Sequence, residues 1–124
     1  MERRTLLYVP TLLPAIAAAQ QQKAPLRPPD VRYEPTTDGI VKAILQLAEV
    51  TSKDMLYDLG CGDGRIVIAA VRELGARGVG IDIDPERIKD SLKTMKQFGV
   101  TKDDVDIRQG DALKVTDLEK ATVV

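Results

Sequence analysis

At 124 residues the chain has room for one small domain and not for two. Apolar residues at 44% suffice for a single core, but with 3% aromatics and no tryptophan that core has to be built from Leu, Ile, Val and Ala. Eighteen Lys and Arg against nineteen Asp and Glu leave a formal charge of -1, and histidine is absent, which removes a general field for nucleic acid, the Ser-His-Asp and Cys-His nucleophile systems and every His-ligated metal site.

Six of the seven prolines lie in the first 35 residues and eight of the nine glycines follow residue 50, so the chain divides into a tail and a domain. Arg3 and Arg4 precede an apolar stretch from Leu6 to Ile16, and Ala17, Ala18 and Ala19 close it. Basic head, short apolar stretch and A-x-A site are the layout of an export leader over residues 1–19, too short and proline-broken to span a bilayer. Residues 20–34, rich in Gln and Pro, are expected to form an extended linker. The domain is expected over residues 35–124.

Ile40, Val41, Ile44, Leu45, Leu47 and Ala48 fall at helical spacing, with Thr36, Thr37 or Asp38 available as caps. Met55–Leu59 reads as a short buried strand running into Gly60-Cys61-Gly62-Asp63-Gly64, and a helix starts near Arg65. Its apolar face is Ile66, Val67, Ala70, Val71 and Leu74, and Gly75 or Gly78 ends it. Val79–Ile83 is the second expected strand. Asp84-Pro85 opens the next helix as cap and first-turn proline, with Ile88, Leu92, Met95 and Phe98 as its buried stripe and Gly99 as its stop.

Val105 and Ile107 alternate with Asp106 and Arg108, as in a half-covered edge strand. A turn at Asp117–Lys120 follows, then Ala121–Val124, the opening of a fourth strand. Alternating helix and strand demands an α/β fold with a mainly parallel sheet and right-handed crossovers. The expected architecture is a Rossmann-like three-layer sandwich, incomplete at the C-terminus.

Glycines at 60, 62 and 64 where a strand becomes a helix let a ligand lie against bare backbone. Asp82 closes the second strand and Asp111 follows the third, so three groups share the carboxyl edge of the sheet, where open α/β sheets bind ligands. Asp82 is placed to accept from ribose hydroxyls, which implies an adenosine-bearing ligand. A dinucleotide site wants G-x-G-x-x-G, but Arg65 stands where the third glycine belongs. Asp58 and Asp63 also oppose phosphate: a carboxylate about 6 Å from a unit negative charge costs roughly 3 kcal/mol at an effective dielectric near 20. S-adenosylmethionine, which carries an ammonium and a sulfonium, would instead be attracted, although Arg65 offsets part of this.

The runs Tyr57-Asp-Leu-Gly-Cys-Gly-Asp-Gly-Arg65, Gly80-Ile-Asp-Ile-Asp-Pro85 and Arg108-Gln-Gly-Asp-Ala112 resemble class I S-adenosylmethionine-dependent methyltransferases over residues 33–124. Tyr33-Glu-Pro-Thr36 and the run from Asp63 to Ala70 are similar to small prokaryotic methyltransferase-domain proteins related to the ATP-synthase-subunit lysine methyltransferases.

The resemblance implies cofactor binding by Asp58 and the backbone of Gly60, Cys61 and Gly62 at the methionine amino and carboxylate groups. It places Asp82 at the ribose, Ile83 at the adenine face, and Asp111 with the backbone of Ala112 at the adenine edge. Packing alone equally accounts for Ile83, and Cys61 reads as a small turn residue with no base beside it in sequence. The implied activity is methyl transfer from S-adenosylmethionine to an acceptor left open, protein lysine being one candidate. No metal, nucleic-acid partner or transmembrane helix is expected.

The family's catalytic motif follows the fourth strand, so catalytic residues are not assigned. Two rivals stand beside this reading: a non-catalytic cofactor-binding or interaction module, and an NAD-dependent oxidoreductase. Location is left open, because a leader implies export while S-adenosylmethionine is a cytosolic metabolite.

Overall fold

The structure, a computed structural model, describes residues 25–124. The expected leader at 1–19, and the expected linker as far as residue 24, lie outside the described residues. From Asp38 onward the order is α1 (Asp38–Leu47), β1 (Met55–Leu59), α2 (Arg65–Leu74), β2 (Arg77–Asp82), α3 (Pro85–Phe98) and β3 (Val105–Gln109). Two 3-10 turns follow at Ala112–Lys114 and Leu118–Lys120.

The strands form one parallel sheet in the order β1-β2-β3, with Asp58 beside Gly80 and Asp82 beside Gln109. On the other flank of β1, Val123 makes a parallel bridge to Leu56 and its carbonyl accepts from the Tyr57 N–H at 2.8 Å. The pairing of a fourth strand therefore starts where the apolar run Ala121–Val124 suggested it. The fold is α/β and Rossmann-like.

Period-two alternation splits the sheet's side chains between two faces. Leu56 and Val105 point to the face where Val41 and Leu45 of α1, Val67, Ile68 and Ala70 of α2, and Met95 of α3 complete the main core. Tyr57, Val79 and Ile81 form a second cluster on the opposite face, packed against Met55, Leu59, Val115 and Ala121. Of the three expected layers, the described residues supply the sheet and one helical layer. The chain after β3 lies over the second face, where the Tyr57 hydroxyl donates to Asp117 at 3.0 Å and Arg108 pairs with the same carboxylate.

β2 starts two residues earlier than its apolar run suggests, at Arg77, and releases Ile83. The cause is Gly78, whose missing side chain hid the strand start. A Cβ there would sit 2.2 Å from Val67 Cγ2 and 3.0 Å from the Leu56 carbonyl oxygen, so α2 packs directly on the β2 backbone.

α3 begins and ends as its sequence indicates: Asp84 accepts from the Glu86 N–H at 2.9 Å, Pro85 takes the first helical position, and Gly99 closes the helix in the left-handed region. Its buried side is nevertheless Ser91 and Met95. Leu92 is 51% and Phe98 42% exposed, and the Arg72 guanidinium lies 3.9 Å over the Phe98 ring. A wholly apolar stripe was expected, and the buried serine is explained by the loop it serves.

Candidate functional site

Parallel strands deliver their carboxyl ends to one edge, and a cavity of about 680 Å³ opens there. Asp58, Gly60, Cys61, Gly62, Asp82, Ile83, Asp111 and Ala112 all line it, so every residue singled out from sequence reaches one cleft. Ile83 belongs to neither apolar core cluster and lines the cleft instead.

The loop after β1 turns with Gly60, Gly62 and Gly64 in the left-handed region. At Gly62 (φ 57°) a Cβ would also meet the Tyr33 ring at 2.7 Å, so both conformation and space call for glycine. The Gly60 and Cys61 N–H groups donate to the Ile81 carbonyl at 2.7 and 2.9 Å, and the Gly64 N–H donates to the Cys61 carbonyl at 2.9 Å. Gly62 N–H donates to Asp82 Oδ2 at 2.9 Å. These four donors have acceptors within the protein. The loop offers a ligand bare Cα surface and no free N–H from these four residues, the opposite of a pyrophosphate cradle.

Asp82 ties two loops together. Its Oδ2 accepts from Gly62 and its Oδ1 from the Asp84 N–H at 2.9 Å. Each oxygen keeps a lone pair for a further donor, and the carboxylate is fixed in orientation before any ligand arrives.

Asp58 is the contrasting case. Its Oδ2 is buried and has no hydrogen-bond partner among the described residues. Burial, and secondarily the charge of Asp82, pushes its carboxyl up to about 6. Asp63, counted with Asp58 in the charge argument, is instead neutralised by Arg65 through Nη2–Oδ2 and Nε–Oδ1 contacts of 2.6 and 2.9 Å. Asp111 accepts from the Leu113 N–H at 2.9 Å and from the Arg27 guanidinium, and both hold its carboxyl below the usual carboxylate range.

Sequence reasoning passed over two contributors. Ser91, fully buried on α3, donates its hydroxyl to the Gly62 carbonyl at 2.7 Å and lies 3.8 Å from Cys61 Sγ. A polar residue three positions after Ile88 on the helix's inner side was the available signal. Burial pushes the Cys61 thiol up to about 12, which removes it as a nucleophile. Ser91→Ala is expected to cost about 1–2 kcal/mol in urea unfolding, because the Gly62 carbonyl loses its partner in a buried site. The second contributor is the segment 25–36, expected as a linker, whose residues Arg27, Pro29 and Tyr33 line the cleft.

The family profile described as the ANTKMT methyltransferase domain matches residues 58–124, from the unpartnered aspartate to the last residue. The chain belongs to this family. A protein-lysine N-methyltransferase of Saccharolobus islandicus (strain REY15A) is 41% identical over 97 residues, 77% of this chain and 59% of that protein. The crystal structure of an RNA methyltransferase from Salinibacter ruber in complex with S-adenosyl-L-homocysteine aligns with a TM-score of 0.68 and 52% identity, over 72% of this chain and 57% of that one. A SAM-dependent methyltransferase from Thiobacillus denitrificans, 24% identical with a TM-score of 0.62 over 69% of this chain and 35% of that one, shares the fold. The chain thus spans less than two thirds of the length of these relatives.

Proposed function

We propose that this chain is the cofactor-binding part of an S-adenosylmethionine-dependent methyltransferase whose acceptor is a protein lysine. The observation that carries the reading is Asp58: a buried carboxylate oxygen with no partner among the described residues, lining a cleft beside a glycine loop. An unpaired buried carboxylate is costly, and a ligand ammonium is the group that repairs it. The cofactor fits on three counts. Asp58 meets the amino group, Asp82 has fixed lone pairs for the ribose hydroxyls, and Ile83, Asp111 and Ala112 border the remaining space for adenine. Gly60, Cys61 and Gly62 form the wall against which the methionine chain lies.

When bound, S-adenosylmethionine supplies an electrophilic methyl on its sulfonium. The chain's own contribution is to hold that group in a fixed orientation, with Asp82 locked by two backbone N–H groups and the loop locked by Ser91. The same donor economy argues against a nicotinamide dinucleotide, whose pyrophosphate would find committed N–H groups and an unneutralised Asp58.

The lysine acceptor draws support from the Saccharolobus relative and from the formal charge of -1, which gives no attraction to a polyanion. Because the Salinibacter relative is described as an RNA methyltransferase, the acceptor assay carries both arms. With radiolabelled cofactor, label is expected in lysine-containing protein, and label confined to RNA would reassign the acceptor. Asp82→Ala is expected to abolish measurable S-adenosylhomocysteine binding in calorimetry, since it removes the ribose acceptor and releases Gly62. Unchanged affinity in that variant, or tighter binding of NADH by the unaltered protein, would overturn the cofactor reading.

A further inference from the structure

Residues 27–36 cross the mouth of the cleft as a strap with three fastenings. At one end Arg65 Nη1 donates to the Thr36 carbonyl at 2.6 Å. In the middle the Tyr33 ring packs on Gly62, and the Arg87 guanidinium lies 4.3 Å from the ring centroid. At the other end Arg27 reaches Asp111 through Nε–Oδ2 and Nη2–Oδ1 contacts of 3.1 and 3.4 Å.

The last fastening differs in kind from the other two. Arg27 is 41% exposed and already shares its charge with Asp30, three residues along the strap itself. It can therefore leave Asp111 without losing a counter-charge. Asp111 has the opposite character: its side chain is 7% exposed, and apart from Arg27 its hydrogen-bond donor is the Leu113 N–H. Arg27 makes both pairings at once, so the closed and open states of the strap differ by release of one part-buried ion pair while the Asp30 pairing is kept.

We infer that Arg27 gates the adenosine end of the cleft: while it holds Asp111 that carboxylate is closed to a ligand's exocyclic amine, and ligand entry transfers Arg27 wholly to Asp30. The ligand named here rests on the cofactor reading above, whereas the latch between strap and cleft does not. A closed fraction lowers apparent affinity in proportion, so freeing Asp111 tightens binding.

The test titrates S-adenosylhomocysteine into the full-length protein and its Arg27→Ala and Asp30→Ala variants, and follows backbone amide exchange of residues 27–36 without ligand. Arg27→Ala is expected to bind about three- to fivefold tighter, because the closed fraction is removed. Asp30→Ala is expected to bind severalfold more weakly, because Arg27 loses its alternative partner. Unchanged or weaker binding by Arg27→Ala would overturn the gate. Should none of the three proteins bind S-adenosylhomocysteine, the cofactor reading fails and amide exchange decides the latch by itself. Faster exchange across the strap in Arg27→Ala upholds it, and identical exchange refutes it.

Discussion

Asp58→Asn is expected to move stability and ligand affinity in opposite directions. In the ligand-free protein the carboxyl is raised to about 6 by burial and then by Asp82, so between the unfolded value of about 4 and that point the folded state holds a proton that the unfolded chain does not. The contribution of Asp58 to stability therefore falls as pH rises across this window and stays level above it. The amide carries no charge to desolvate, so the variant should be more stable at pH 7 by about 1–2 kcal/mol, several degrees in melting temperature, and this gain should shrink as pH falls from 6 to 4.

S-adenosylhomocysteine binding should weaken by about a hundredfold, as when one member of a buried charge pair is removed. For the unaltered protein the pH profile of binding runs the other way from that of stability: affinity is full above about 6 and drops as the carboxylate takes up its proton. Thermal melts and calorimetry over pH 4–8 read both quantities. A variant that loses stability and keeps affinity would remove Asp58 from the ligand site.

The largest purely structural effect is expected at Gly78. Gly78→Ala places a methyl 2.2 Å from Val67 Cγ2 and 3.0 Å from the Leu56 carbonyl oxygen. Neither neighbour yields easily, since valine is stiff at χ1 in a helix and the other contact is backbone. Overpacking of this kind costs about 3 kcal/mol, which for a domain of this size lowers the melting temperature by more than 10 °C. Val67→Ala alone leaves a cavity and is also expected to destabilise. Together the two changes should cost clearly less than their sum, because each removes the other's defect. Additive losses in a double-mutant cycle would mean that α2 does not rest on Gly78.

Local signals were strong wherever one residue dictates one conformation. Met55–Leu59, the Asp84-Pro85 start of α3 and its Gly99 stop were legible because caps and β-branched or apolar runs act within a few residues. The glycine loop and the carboxylates at 58, 82 and 111 were legible as one edge because parallel topology sends all three strand ends the same way. What depends on distant chain was not legible. Gly78 looked like a helix stop because nothing nearby in sequence announces that Val67 needs its space. Helical spacing points to Leu92 as core, whereas the helix turns Ser91 toward Gly62, 29 residues away, and leaves Leu92 51% exposed. The strap reads as a linker from sequence because proline-rich composition describes local geometry and is silent on what Arg27 and Tyr33 touch. The division of donors within the loop was likewise invisible, since Asp82 claims the Gly62 N–H across 20 positions.

β3 has a partner on one flank only among the described residues, and the character of its side chains bears on how the protein behaves in concentrated solution. Asp106 is exposed and bonded to Arg108, which also reaches Asp117. A row of open backbone groups invites strand addition by a second molecule, and charges along such an edge make that addition unfavourable because they would have to be desolvated or opposed. The same short pattern that marks β3 as half-covered thus makes strand addition at this edge unfavourable.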